Sequence, residues 1–189
     1  AAWWKGAGKP ENVYLYVHTN FDGYWDVRQM ADYLGIRECV IRTETGALPE
    51  AQMPALYGAL DVMISCAEGE SWGLTSLESM ACGVPQIAVK CGGMPSWAGD
   101  SIYWVEPSFY TYTGNQINTK RWIASEDDYI TAMQKMYHDT DLWRNYSTAA
   151  LATAKKYTWA ATVEHFDKIL SQIVNVQKVL EQSGGVEDF

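Results

Sequence analysis

Glu70 and Glu78 stand with seven residues between them, in a stretch (residues 61–95) that also holds Gly73, Leu74, Thr75 and the pair Gly92-Gly93. Two neighbouring carboxylates can divide general acid and base work, and that is the first chemistry the pair offers. The spacing favours another. Residues 62–65 read as a short apolar strand, 72–82 as a helix and 86–89 as a second strand. Glu70 then precedes the helix and Glu78 lies about two turns into it, roughly 12 Å away at most for a helical rise. Between them the helix start offers unpaired N–H groups and the positive end of its dipole, a ready place for a phosphate. Two carboxylates at one phosphate would repel it. Set at its two ends, they could accept from the hydroxyls of a ribose on one side and of a sugar on the other.

Such a site needs a scaffold that gathers strand ends. Residues 13–18 are rich in β-formers, 24–34 carry a helical period closed by Gly35, and 39–41 form a short buried run. Leu48-Pro49-Glu50 opens a helix that runs to Leu60, and residues 102–105 form another strand after the Gly-Gly loop. This alternation predicts an α/β fold, an open parallel sheet with helices on both faces. Ligands of such sheets lie beyond the carboxyl ends of the strands, which singles out the loops after His18, Ile41, Ser65 and Val89. Residues 107–122, polar and aromatic without a clear period, read as a long loop in which Phe109, Tyr110, Tyr112 and Trp122 pack. Helices are expected over 126–138 with Ser125 as N-cap, from Asp139 to Tyr157, and over 158–180. The last places Val163, Phe166, Ile169, Leu170 and Ile173 on one side, with Trp159 as a core anchor. Residues 1–180 read as one domain and 181–189 as a frayed tail.

Composition narrows the class further. The 189 residues are 48% apolar and 20% charged, which fits one globular domain rather than a disordered or repeat chain. A net charge of −9 argues against general binding to nucleic acid or an anionic membrane, while leaving room for a local phosphate pocket. Cys39, Cys66, Cys82 and Cys91 are unevenly spaced and, with His18, His138 and His165, make no metal pattern, so reduced and mostly buried thiols are expected. No apolar run approaches a membrane span and no signal peptide opens the chain, which points to a cytoplasmic protein.

Glu70-Ser-Trp-Gly-Leu-Thr-Ser-Leu-Glu78-Ser-Met-Ala-Cys-Gly-Val-Pro, followed by Gly92-Gly93-Met-Pro95, resembles the nucleotide-sugar half of retaining GT-B glycosyltransferases, with family 4 the nearest pattern. Leu56-Tyr57-x-Ala-Leu-Asp-Val before the motif and Tyr157-Thr158-Trp159 after it are similar to the same family, so the resemblance covers residues 12–170. It implies a Rossmann-like domain in which Glu78 holds the ribose hydroxyls. Glu70, the catalytic candidate, would hold those of the donor sugar. It also implies that the amides of Gly73, Leu74 and Thr75 carry the distal phosphate, with Gly92 and Gly93 nearby, and that Ile41-Arg42-Thr43 passes the base. No cofactor or metal is implied; a nucleoside-diphosphate sugar is the donor, and an acceptor glycan or other hydroxyl compound meets it from a separate N-terminal domain. Ser71 stands where the family commonly has Gly, and Ser96 where it often has Glu. The Arg and Lys that usually grip the diphosphate come from a strand and loop upstream of the helix ending near Lys9, so the chain is expected to be a donor-binding half, inactive alone.

Several residues keep two readings. Arg42 could face the base or the solvent, Lys90 a phosphate or the solvent, and His18 a ligand or its own turn, while Glu68 reads as a surface acid. A non-catalytic nucleotide-binding or assembly module of the same fold is the alternative function; loss of one motif Glu would mark it, and both are present. A Rossmann oxidoreductase would need Gly-x-Gly-x-x-Gly after its first strand, where this chain has Thr19-Asn-Phe-Asp-Gly23.

Overall fold

A computed structural model describes residues 1–19, 26–42, 48–114 and 118–182. Its centre is β4 (Gln86–Val89), buried along its whole length, as a strand covered on both faces must be. It pairs in parallel with β3 (Met63–Ser65) and β5 (Tyr103–Val105), in register Ile64↔Ile87 and Ile87↔Tyr103. Successive side chains of a strand point to opposite faces, and two clusters record it. Ala88 joins Met80, Met94, Trp97, Ile102, Ala150 and Ala154 on one face. Ile87 joins Val105, Ala132 and Met136 on the other. The first face is covered by α4 (Leu74–Ala81), α5 (Met94–Ala98) and α7 (Thr140–Ala154), the second by α6 (Glu126–His138).

A second parallel pair, β1 (Leu15–Val17) with β2 (Val40–Arg42), is matched Tyr16↔Ile41. Its cluster gathers Trp3 and Trp4 of α1 (Ala2–Gly6), Ala31 of α2 (Val27–Tyr33), and Ile36 and Cys39. Ile130 and Met133 of α6 pack against it, and Met133 also meets the cluster around Ile87, so α6 spans both sheets. The fold is therefore the expected α/β arrangement of parallel strands flanked by helices.

Boundaries moved where caps decide them. Helix α2 begins at Val27 because Asp26 accepts from the Gln29 amide, and α4 begins at Leu74 rather than Trp72 because Gly73 is left-handed (φ 76°, ψ 60°). Cys39 closes a 3-10 turn (Arg37–Cys39) ahead of β2, and another such turn (Glu50–Gln52) precedes α3 (Met53–Gly58). Ser125 caps α6 as expected, its hydroxyl accepting from the Asp128 amide. Cys39 and Cys91 are buried, but Cys66 and Cys82 are exposed; all four are free thiols.

Two expectations are corrected. Where residues 107–122 read as a long loop, β6 (Phe109–Tyr112) and β7 (Lys120–Ile123) pair as an antiparallel hairpin, register Tyr110↔Trp122, with 115–117 outside the described residues. Its strands mix aromatic and polar residues on both sides, so apolar alternation, the usual signal of a half-buried strand, is missing. Trp159 is no core anchor but 80% exposed at the start of α8 (Trp159–Gln182), and Val163, Phe166, Ile169, Leu170 and Ile173 are exposed with it. Periodicity reports which side of a helix is apolar, not whether anything covers it. No described helix is long and apolar enough to cross a membrane.

Candidate functional site

The site is assembled beyond the carboxyl ends of β3 and β4. The loop after Ser65 turns through Glu68, Gly69 and Glu70 into α4, and the loop after Val89 brings Gly92 and Gly93 directly against it. The contact is backbone to backbone. The Gly93 N–H donates to the Glu70 carbonyl (2.9 Å). A Cβ on Gly92 would lie 1.9 Å from that carbonyl oxygen, and one on Gly93 would lie 1.9 Å from the Ser71 carbonyl oxygen. Gly92 and Gly93, expected near the phosphate, thus sit against the turn before α4, with the Gly93 amide engaged by it. Glycine is needed here because no side chain fits.

The turn is held from two more directions. Trp72 stacks on Trp97 of α5 (centroids 5.4 Å apart, planes 20°), and Tyr157 meets both rings edge-on. The Trp97 indole donates to the Trp72 carbonyl (2.8 Å), and the Tyr157 hydroxyl donates to the Trp97 carbonyl (3.2 Å). Each aromatic pair contributes about 0.5–1.5 kcal/mol beyond the area it buries. On the other side the Trp122 amide of the hairpin donates to the Glu68 carbonyl (2.7 Å), and Arg121 forms an ion pair with the Glu68 carboxylate. Glu68, read from the sequence as a surface acid, is thus half-buried under the hairpin.

Glu70 is half-buried, and its Oε1 accepts from the Ser71 amide (3.0 Å). Gly73 is buried beside it; a Cβ there would meet Met94 Sδ at 2.9 Å and Glu70 Cγ at 3.3 Å. Because the residue at the N-cap is a glycine, no side chain caps α4. The first amides of a helix have no partner within it, and those around Leu74 and Thr75 lie at the positive end of the α4 dipole. Ser76, Ser79 and Met80 make the buried stripe of α4, leaving Leu74, Thr75 and Glu78 exposed together on the opposite side. The stripe is pinned by a polar stitch: the Gln86 amide group donates to the Ser79 hydroxyl, which donates to the Ser76 carbonyl (3.0 Å).

Glu78 accepts from the Tyr57 hydroxyl through Oε2 (2.9 Å). Burial first, then the hydrogen bond to Glu78, pushes the Tyr57 phenol well above its ordinary range, so it stays a donor. Tyr129 of α6 donates to the Ser65 carbonyl (2.8 Å), fixing the end of β3 from which the turn departs.

The other candidates fall elsewhere. Arg42 is exposed at the end of β2, opposite Val17, in a sheet separate from the β3–β4–β5 sheet whose loop and helix carry Glu70 and Glu78. Thr43 lies outside the described residues. His18 follows β1 and stacks on Tyr16, whose hydroxyl is 3.2 Å from its Nδ1. Lys90 is paired with Glu106 (2.8 Å), and that hydrogen bond raises its pKa. Among the described residues no three His, Cys, Asp or Glu side chains gather as a metal site.

Sequence reasoning missed Tyr57, Trp97 and Arg121. Each contact spans more than twenty residues and joins elements whose mutual placement no local spacing encodes. Two left a trace: Tyr57 in the Leu56-Tyr57 pattern ahead of the motif, and Trp97 four residues after Gly93 on the helix that the Gly-Gly loop enters.

Known proteins resemble this chain in sequence and in fold. A family model described as "Glycosyl transferases group 1" matches residues 27–152. A D-inositol 3-phosphate glycosyltransferase of Segniliparus rotundus is 29% identical over 134 residues, 71% of this chain and 26% of that protein. The sucrose-phosphate synthase of Thermosynechococcus elongatus superposes with a TM-score of 0.66 at 17% identity, over 86% of this chain and 38% of that one. Anabaena HepE, solved with UDP and glucose, does so with a TM-score of 0.61 at 20% identity, over 78% and 36%. These neighbours have the GT-B fold, and the chain spans about 26–30% of the length of the first curated relatives it matches. The chain belongs to the group 1 glycosyl transferases.

Proposed function

We propose that residues 1–180 are the donor-binding domain of a retaining glycosyltransferase of family 4, holding a nucleoside-diphosphate sugar for transfer to an acceptor hydroxyl. The observation that carries this is the uncapped start of α4, opened by left-handed Gly73 and flanked by Glu70 and Glu78. In this reading the amides of Gly73, Leu74 and Thr75 hold the distal phosphate and Gly92 lies beside it. Glu78 accepts from the ribose hydroxyls, Glu70 accepts from the donor sugar, and Arg42-Thr43 passes the base. The acceptor oxygen bonds to the anomeric carbon as its bond to the phosphate oxygen breaks, and the departing diphosphate takes the hydroxyl proton, so neither carboxylate acts as the base. No metal or cofactor is required. The acceptor-binding domain belongs to a separate part of the enzyme, a reading supported by the fraction of its relatives that this chain spans. UDP and glucose bound to the similarly folded HepE support uridine donors as first probes.

The test separates the two carboxylates by calorimetry with UDP-glucose, GDP-mannose and the free diphosphates. Glu70→Gln should weaken the nucleotide sugar that binds about tenfold, the loss of one charged hydrogen bond, and leave its diphosphate unchanged. Equal effects on sugar and diphosphate would remove Glu70 from the sugar end. The alternative, a non-catalytic module of the same fold, predicts that Glu70→Gln changes neither.

A further inference from the structure

We propose that Tyr57 is the positioning residue for Glu78, locking its carboxylate in the orientation that reads a ribose. The inference rests on the ribose role of Glu78 proposed above. Glu78 emerges from the exposed side of α4, where a glutamate ordinarily samples many rotamers. Here one oxygen is held: Tyr57, only 6% exposed on α3, donates its hydroxyl to Oε2 at 2.9 Å. A buried tyrosine has two torsions and both are fixed by packing, so it transmits the rigidity of α3 to the carboxylate. A second contact keeps the two helices in step one turn further on, where the Cys82 thiol lies 3.8 Å from the Pro54 carbonyl.

The chemistry of the pair fits a diol. A carboxylate has about four acceptor positions on two oxygens. Tyr57 occupies one, leaving Oε1 and the second lone pair of Oε2 for two adjacent hydroxyls. Because a carboxylate only accepts, the phenol donates to it, and turning Oε2 away would cost this bond and leave a buried hydroxyl without it. A phenol is protonated throughout the neutral range, and burial with the Glu78 hydrogen bond raises its pKa further. Tyr57 does not need to touch the ligand; it acts by removing the freedom of the group that does.

The readout is a preference rather than an affinity. Calorimetry on the full chain would compare UDP with 2′,3′-dideoxy-UDP, and GDP with its dideoxy analogue, for wild type, Tyr57→Phe and Glu78→Ala. Tyr57→Phe should cut the preference for the ribonucleotide three- to tenfold, with dideoxy affinity unchanged, while Glu78→Ala abolishes the preference. An intact preference in Tyr57→Phe beside its loss in Glu78→Ala would overturn the positioning role and leave the ribose reading standing. Equal weakening of both nucleotides by Tyr57→Phe would mark a purely structural tyrosine and also overturn it. A preference that survives Glu78→Ala, or wild type that binds neither nucleotide, would remove the ribose reading and this proposal together.

Discussion

The two glutamates are held in opposite ways. Around Glu70 the restraint is in the backbone: Gly92 and Gly93 press against its carbonyl and that of Ser71, the Trp72–Trp97–Tyr157 rings brace the turn behind it, and the hairpin grips Glu68 in front. Around Glu78 the restraint is one side-chain hydrogen bond from Tyr57 to a carboxylate on an open helix face. Substitutions near Glu70 should therefore register first as lost stability. Those near Glu78 should register as lost recognition with the fold intact.

The largest effect should come from breaking the brace of the first carboxylate. Trp97→Ala removes a buried indole and its bond to the Trp72 carbonyl, and should lower the unfolding free energy by about 3–5 kcal/mol in a urea titration. A loss below about 1 kcal/mol would show that the turn does not lean on the ring cluster.

A smaller, pH-dependent effect separates the tyrosines that tie the site together. Burial is the first cause of the raised pKa of Tyr57 and Tyr129, with Glu78 adding to the first and Cys66 to the second. A folded-state pKa above the unfolded value of about 10 means their contribution is complete below that pH and is lost as pH rises through the folded values. Stability should accordingly fall above about pH 10, and Tyr57→Phe should flatten the fall. An unchanged slope in the variant would contradict it.

The smallest effect should lie on α8, where Trp159, Val163, Phe166 and Leu170 are exposed. Phe166→Ser replaces a side chain that is already exposed, so unfolding of this chain should shift by no more than about 0.5 kcal/mol. A large loss would reveal packing on that face.

The same contrast separates what is legible in the sequence from what is not. The central strand Gln86–Val89 was legible because a strand buried on both faces is an unbroken run, and α6 because Ser125 and the acidic first turn mark its start. That Glu70 precedes α4 and Glu78 lies on it was legible because the apolar period marks the helix and Gly73 its start. What escaped depends on distant segments meeting. Gly93 showed only that a special backbone was wanted there, not that its amide would be taken by Glu70. The hairpin hid because Tyr110-Thr111-Tyr112 and Lys120-Arg121-Trp122 pair with each other rather than alternate against a core, although aromatic and β-branched residues around Gly114 were a usable signal. Trp159 was misplaced because a lone aromatic on an apolar stripe says nothing of what covers it.

The central claim is that Glu78 and the open start of α4 together receive a nucleoside diphosphate. Titrating UDP and GDP calorimetrically into wild type and Glu78→Ala, at equal folded fraction, tests it most directly. The account predicts that one of the two binds wild type and binds Glu78→Ala about tenfold or more weakly, the worth of hydrogen bonds to a charged acceptor. Equal affinity in the two proteins would contradict it.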